Sequence, residues 1–512
     1  MNIDSVKNQN EEFLRETFPS ETLPNEQEIP QIPKEKFTFV YKEQKLEQSN
    51  LSAKPVGYFK DAMKRFATNK GSVICFFIIL VLVLYAVFAP VFSKYKISDK
   101  DGYYAYAAPR NSLFAKTNFW DGCKVMEVNL ATYQYYSNIP GAIKKFYGTK
   151  NYSVAGRNQT WYKIRVDSYN KVGWVKKTLT QKEFENARSY EKESGIQIFY
   201  PLIDERKIKN SSHKGDMNAW FLTDERGIMQ TNVATGKPKD IFLKNKESPN
   251  EYIYYTQKGN QYETRILYKN WYIYQNGKEP SFLFGAEKSG YDIFTRLAYG
   301  ARLSFVLSIC VAAINLFLGI IIGSIEGYYG GYVDLIIERI KDILSSVPSV
   351  IIMTLFQLYF AKKVGPVVSM FVAFIFFGWM GTSSTVRAQF YRFKNQDYVL
   401  ASRTLGAKDS RLIFRHILPN SIGFIITSSV LTIPSVIFSE ANLTYLGIVN
   451  LQTDTMTSVG TMLNSAQDAL ASSPHCVFFP AAFISILLVC FNEFGNGLRD
   501  AFNPSSRGAE NA

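Results

Sequence analysis

The chain has 512 residues, of which 46% are hydrophobic and 20% charged, and its formal net charge is +14 at pH 7. Much of the hydrophobic content lies in six segments that lack Asp, Glu, Lys and Arg and can cross a bilayer, which takes about 20 apolar residues. This pattern excludes an ordinary soluble protein, and a membrane-facing basic surface explains the positive charge without nucleic acid. The predicted spans are Gly71–Ser93, Leu303–Ile325, Ile343–Ala361, Val364–Val386, Ile417–Ser439 and Ala469–Asn492.

The amino-terminal region divides into two parts before the first span. Residues 1–53 are rich in Glu, Gln, Asn and Lys with scattered prolines, so they predict a disordered tail. Residues 54–70 change character, because Phe59, Met63 and Phe66 recur at helical spacing opposite lysines. This pattern favours an amphipathic elbow helix along the membrane surface, or equally an extension of the first span at 71–93.

Lys and Arg in the short loops set the predicted orientation. They precede the first span and are dense between residues 387 and 416, whereas Glu440–Asp468 contains none. Only Lys362 and Lys363, in a tight turn, depart from this bias. We therefore expect both termini, including a short tail at 504–512, to be cytoplasmic and residues 94–284 to be extracellular.

Residues 94–284 are too long for an ordinary loop and hold 20 of the 32 tyrosines. Turn residues separate short aromatic or alternating runs that predict strands. We therefore expect an inserted, β-rich extracellular domain. The predicted strands are Tyr162–Tyr169, Gly173–Thr180, Gly195–Leu202, Glu251–Gln257, Tyr262–Tyr268 and Trp271–Gln275.

The segment from Gln396 to Asn420 is polar and Arg-rich, lies between two apolar runs, and contains two helix-like pieces separated at Gly406. It resembles the EAA loop of ATP-binding-cassette (ABC) importer permeases, specifically the C-type subunit of the oligopeptide/dipeptide group. The family pattern of Glu-Ala-Ala, three residues and Gly corresponds here to Leu400-Ala401-Ser402 and Gly406, without the Glu. The resemblance implies a loop that couples to the ATPase, with candidate residues Tyr398, Ala401, Ser402, Leu405, Gly406, Ala407, Leu418 and Pro419.

Residues 285–503 resemble the core of the same family, from Tyr299-Gly300-Ala301-Arg302 to Gly497-Leu498-Arg499-Asp500. The resemblance implies five spans in this core, with the coupling loop at 387–416. The expected fold is thus an all-α polytopic bundle of six transmembrane helices, the type I ABC importer permease fold, with the insert added.

Polar residues within the predicted spans are candidates for a translocation path, although helix packing is the more common role of such residues. They are Asn315, Gln357, Ser428, Ser429, Thr432, Ser435 and Asn492. The predicted spans hold no ionisable residue deep within them, which favours an external energy source over ion coupling. The sequence also lacks a G-x-x-x-x-G-K-[ST] phosphate loop, a Cys/His metal spacing and a convincing nucleophile–base set. We predict no catalytic residue, metal site or cofactor in this chain.

The resemblance implies a permease subunit for ATP-driven uptake of oligopeptides or dipeptides across the bacterial cytoplasmic membrane. It further implies a homologous second permease, two cytoplasmic ABC ATPases that bind ATP and Mg, and an extracellular solute-binding protein that delivers peptide. Import of nickel or another small solute on the same scaffold is an alternative. A membrane-anchored receptor that acts through its external domain is an alternative of a different class.

Overall fold

A computed structural model describes residues 58–502, apart from 112, 115–117, 155–156, 209–212, 246 and 249. The predicted tails at 1–53 and 504–512 lie outside the described residues. The chain divides into two units, Met1–Asp61 and Ala62–Ala512, and the helices and strands lie in the second unit apart from the first residues of α1.

The helices, in chain order, are α1 (Tyr58–Thr68), α2 (Lys70–Phe92), α3 (Leu130–Ser137), α4 (Gln181–Ser194), α5 (Tyr268–Asn276), α6 (Ile293–Tyr329), α7 (Gly331–Ser345), α8 (Ser349–Val364), α9 (Pro366–Phe393), α10 (Asp397–Thr404), α11 (Asp409–Tyr445), α12 (Val459–Ala466) and α13 (His475–Phe502). The strands are β1 (Cys123–Val128), β2 (Ile143–Val154), β3 (Arg157–Asp167), β4 (Trp174–Thr180), β5 (Phe199–Tyr200), β6 (Tyr255–Lys258) and β7 (Gln261–Leu267).

Among the described residues, five helices are long and apolar enough to cross a membrane, namely α2, α6, α9, α11 and α13. Each covers most or all of one predicted span. The predicted third span instead falls on α7 and α8, which meet at 76° and together could make a sixth, broken span. The bend lies at Pro348, because proline disfavours a helical conformation in the residue before it.

A stripe of glycines brings α6 directly against α9. Gly319, Gly323 and Gly327 repeat every four residues and so lie on one face of α6. A Cβ atom added to Gly323 would clash with the carbonyl oxygen of Ser383, and the other two positions are similarly tight. Small side chains therefore allow the close backbone approach that is typical of helix pairs in membranes.

The insert between α2 and α6 contains two small antiparallel sheets within its described residues. One sheet has the order β1-β3-β2, and the other has the order β4-β7-β5 with β6 also paired to β7. The predicted strand Trp271–Gln275 is wrong, because these residues lie in α5. Tyr268 and Trp271 are buried three residues apart on that helix, and Gly277 ends it in the left-handed conformation.

The insert rests on the end of the helical bundle through Lys124. The Nζ atom of this lysine donates to the carbonyl oxygen of Tyr106 at 2.9 Å and to the hydroxyl of Ser473, just before α13, at 2.7 Å. Burial, with a further contribution from the charge of Lys171, lowers the pKa of Lys124 to about 8. The side of the bundle that carries these contacts is called the insert side below, and the opposite side, which carries α10, is called the loop side.

Candidate functional site

The predicted coupling loop is a helix–turn–helix on the loop side. Helix α10 ends at Thr404 with Leu405 as its C-cap, and Gly406 follows with φ of 82°. Hydrogen bonds from the amide groups of Gly406 and Ala407 to the carbonyl oxygens of Arg403 and Ser402 close the turn. A glycine adopts this left-handed conformation without strain, so Gly406 allows the chain to reverse into α11.

Helix α11 begins with an irregular turn. Residues Leu412–Ile417 form a π-helical turn in which the amide of Leu418 bonds to the carbonyl oxygen of Ile413, five residues earlier. Pro419 follows at once and has no N–H to donate to the carbonyl oxygen of Arg415. The missing bond at Pro419 accounts for the wide turn, a feature that often occurs at functional sites.

One side of the loop is buried against the spans. Val399 and Leu412 are fully buried in a cluster with Phe390 of α9 and Tyr328 of α6. The phenol of Tyr328 donates to the carboxylate of Asp409 at 2.6 Å, and the guanidinium group of Arg403 lies over its ring at 5.6 Å. Tyr328 therefore contacts both helices of the loop and fixes them to the end of α6.

The other side of the loop exposes apolar side chains. Leu405 is 88% exposed and Phe414 is 57% exposed, with Tyr398 and Ala401 nearby in sequence and also exposed. Ser402 bonds back to the carbonyl oxygen of Tyr398, while the Tyr398 hydroxyl accepts a bond from Asn420 at 3.2 Å. The loop is thus held on one side and exposes apolar side chains on the other, a combination that is common at interaction surfaces.

Sequence reasoning missed a buried ion network beside this loop. Glu326 of α6 is fully buried, and both of its carboxylate oxygens lie 2.8 Å from the ammonium group of Lys341 on α7. Lys341 also donates to Glu338 at 2.9 Å, and Arg387 of α9 pairs with Asp334 at 2.8 Å. Three carboxylates thus converge on two cations, which connects α6, α7 and α9.

The network was missed because the predicted second span ended at Ile325, one residue before Glu326. The helix continues to Tyr329, and the partners of Glu326 lie on other helices. The spacing of charged residues in the sequence does give one local signal of this network. Asp334, Glu338 and Lys341 recur at i, i+4 and i+7, which places them on one face of a helix.

Three predicted path residues line a single cavity of about 490 Å³ in the bundle. Asn315, Thr432 and Ser435 share it with apolar side chains from α8, α9 and α11. The amide of Asn315 lies 3.4 Å from the carbonyl oxygen of Phe374, and its own oxygen has no partner among the described residues. The two hydroxyls bond back to α11.

The other four predicted path residues lie outside the lining of this cavity. Gln357 donates to the carbonyl oxygen of Pro366 at 3.2 Å and so spans the turn between α8 and α9. Ser429 is buried and bonds within α11, Ser428 is half-buried, and Asn492 is exposed on α13.

Two buried carboxylates lie near the ends of spans on the insert side. Glu440 of α11 accepts a hydrogen bond from Ser304 at 2.6 Å and is 1% exposed. Asp292 caps α6 by accepting from the amide and the hydroxyl of Thr295 at 2.8 and 2.6 Å. Burial raises the pKa of Asp292 to about 6, against the effect of these hydrogen bonds.

Several membrane-length helices around a largely apolar cavity that contains a few polar side chains, with a helix–turn–helix loop at one end, are typical of a multi-pass membrane permease. The family model "Binding-protein-dependent transport system inner membrane component" matches residues 301–508, and "N-terminal TM domain of oligopeptide transport permease C" matches residues 57–109. The chain belongs to this family of binding-protein-dependent transport components.

Named relatives and a solved structure match parts of the chain. The oligopeptide transport system permease protein OppC of Bacillus subtilis strain 168 is 42% identical over 246 residues, 48% of this chain and 79% of that protein. The dipeptide transport system permease protein DppC of the same strain is 39% identical over 225 residues, 44% of this chain and 69% of that protein. An inward-facing structure of the MetNI methionine ABC transporter aligns with 41% of this chain and 96% of that chain, at 13% identity and a TM-score of 0.34.

Proposed function

We propose that this chain is the permease subunit of an ATP-driven ABC importer that takes up oligopeptides or dipeptides. The observation that carries the proposal is the geometry of the loop around Gly406, which is fixed to α6 through Tyr328 and exposes Leu405 and Phe414 on its free side. The similarity to permeases named for oligopeptide and dipeptide transport supports peptide as the solute.

In this proposal a homologous second permease completes the translocation path, and two cytoplasmic ATPases dock on the loops. The ATPases bind ATP and Mg, so this chain needs no cofactor or catalytic residue of its own. Closure of the ATPases moves α10 and the start of α11, which changes the cavity that contains Asn315 and Thr432. Peptide from an extracellular solute-binding protein enters the cavity and leaves on the cytoplasmic side.

The proposed topology places the chain in the bacterial cytoplasmic membrane with both termini in the cytoplasm. The loop side then faces the cytoplasm, as its Arg and Lys residues favour. The insert at 94–284 forms an extracellular domain whose two sheets stand over the end of the bundle.

The test is uptake of a labelled peptide by cells that express the complete transporter with Leu405→Glu in this chain. A carboxylate in the apolar docking surface should abolish uptake while the abundance of the subunit in the membrane stays normal. Val233→Glu is the matched control, because Val233 is fully exposed in the insert, away from the loop, and should leave uptake unchanged. Normal uptake by Leu405→Glu would contradict docking at this surface, and uptake of nickel but not peptide by the unmodified transporter would contradict the solute.

A further inference from the structure

Part of the insert carries exposed apolar side chains close to the membrane-spanning helices. Leu113 is 83% exposed, Phe119 is 64% exposed and Phe114 is 44% exposed. Trp120 follows directly and packs edge-on against Phe119, with ring centroids 5.2 Å apart. We call these four residues the apolar tip.

The backbone holds the apolar tip in place from its two ends. The amide of Asn111 donates to the carbonyl oxygen of Trp120 at 2.8 Å, and Arg110 forms a bridge to Asp121. Asn118 and Trp120 adopt φ values of 60° and 54°, which are uncommon for residues with side chains. These contacts and conformations hold the described ends of the tip, residues 110–111 and 118–121, in a defined arrangement.

The apolar tip is continuous with the surface of the spans. Trp120 stacks on Phe479, in the second turn of α13, with a centroid distance of 6.3 Å and an interplanar angle of 9°. Phe119 and Trp120 share an apolar crevice of about 550 Å³ with Phe478 and Phe479, and Phe478 is 63% exposed.

The carboxyl end of α2 adds exposed apolar side chains on another side of the tip. Asn111, at the base of the tip, lines a small cavity with Phe92, the last residue of α2. Val91 and Phe92 are 72% and 80% exposed. The tip therefore lies beside the ends of two membrane-length helices, α2 and α13, whose outward residues are themselves apolar.

We propose that the apolar tip inserts into the membrane leaflet on the insert side and anchors the insert to the bilayer. Tryptophan favours the boundary between headgroups and hydrocarbon, and the apolar side chains of Leu113, Phe114 and Phe119 favour burial in the hydrocarbon itself. Two ion pairs neutralise charged side chains in the described part of this region, because Arg165 pairs with Asp121 at 2.9 Å and Arg110 pairs with Glu279 at 3.0 Å. Lipid is the occupant that the geometry favours over a protein, because the tip continues the exposed apolar surface of the two membrane-length helices beside it, α2 and α13.

The test measures contact of the tip with lipid chains in the full-length subunit. Leu113→Cys and Phe119→Cys are made separately in a background whose five native cysteines are replaced by alanine, and each is labelled with an environment-sensitive fluorophore. The labelled proteins are placed in nanodiscs of phosphatidylcholine with plain or brominated acyl chains. Phe478→Cys in α13 is the positive control, and Val233→Cys, fully exposed in the insert, is the negative control.

We expect brominated chains to quench the labels at positions 113, 119 and 478, with blue-shifted emission, and to leave the label at 233 unaffected. Size-exclusion profiles that match the parent protein show that each variant is folded. If both tip labels behave like the label at 233, lipid insertion is overturned. Protection of unquenched tip labels only after addition of a solute-binding protein would assign this surface to a protein partner and equally overturn the proposal.

Discussion

Replacement of Lys341 by methionine should destabilise the bundle more than any change on the exposed face of α7. The substitution keeps most of the side-chain volume but removes the cation that lies 2.8 Å from both oxygens of Glu326. Glu326 is fully buried and would keep only the hydroxyl of Ser383, at 3.0 Å, and the more distant guanidinium group of Arg387, at 3.7 Å. Removing one partner of a buried pair costs about 3–5 kcal/mol, and these remaining contacts favour the lower end.

The matched control is Arg339→Met on the same helix. Arg339 pairs with Asp342 at 3.1 Å, but both side chains are mostly exposed. Arg339→Met should therefore lower the free energy of unfolding by less than about 1 kcal/mol. A second control combines Lys341→Met with Glu326→Leu. It should recover most of the lost stability, because an apolar pair in place of a buried ion pair is often neutral or stabilising.

The assay is reversible unfolding of the purified subunit in mixed micelles by titration with sodium dodecyl sulfate, from which the free energy of unfolding is obtained. A double-mutant cycle then gives the coupling energy between positions 326 and 341. If Lys341→Met is as mild as Arg339→Met, or if the double variant is less stable than either single one, the network does not hold α7 to α6.

Three further predictions concern the loop and the insert side. Gly406→Val should abolish peptide uptake at normal membrane abundance, because a β-branched residue at φ of 82° costs about 1–2 kcal/mol. Gly406→Ala should be milder. Normal uptake by the valine variant would contradict the coupling role. Tyr328→Phe removes the hydrogen bond to Asp409, at a cost of about 1 kcal/mol because Asp409 is exposed to solvent. The ATPases should still bind, while peptide-stimulated ATP hydrolysis should fall. Unchanged stimulation would refute a role of this hydrogen bond in coupling. Asp292 has a pKa of about 6 in the fold, above its ordinary value of 3.8, so its contribution to stability falls as pH rises from about 4 to 6. Asp292→Asn should therefore unfold at a higher temperature than the parent at pH 7.5 and lose that advantage at pH 4.

The spans were predictable because a helix that crosses a bilayer needs a continuous run of apolar residues, and such a run can be read directly from the sequence. Their ends were not, since α6 and α11 run beyond the predicted segments to positions where buried carboxylates meet hydrogen-bond partners on other helices. Glu326 and its partner Arg387 are far apart in sequence, so no local pattern links them.

Gly406 was predictable for a different reason. Its function as a helix end depends on its own backbone, and a glycine after a short helical pattern signals such an end directly. The wide turn before Leu418 was harder to predict, although Pro419 is its evident cause. In the insert, aromatic side chains suit both strands and buried helix faces, and so Trp271 to Gln275 were wrongly predicted as a strand.

Helix α6 extends from the loop side of the bundle to the insert side. Its 37 residues rise about 1.5 Å each, so Asp292 at one end and Tyr328 at the other are about 55 Å apart. Gly319, Gly323 and Gly327 place the backbone of α6 directly against α9, so a shift of α6 along its axis would make the two helices clash. A force applied to the loop at Tyr328 should thus move α6 and α9 together, whereas α11 begins within the loop and is displaced directly. The cavity between these helices contains Asn315 and Thr432, and its shape would change whenever the two displacements differ.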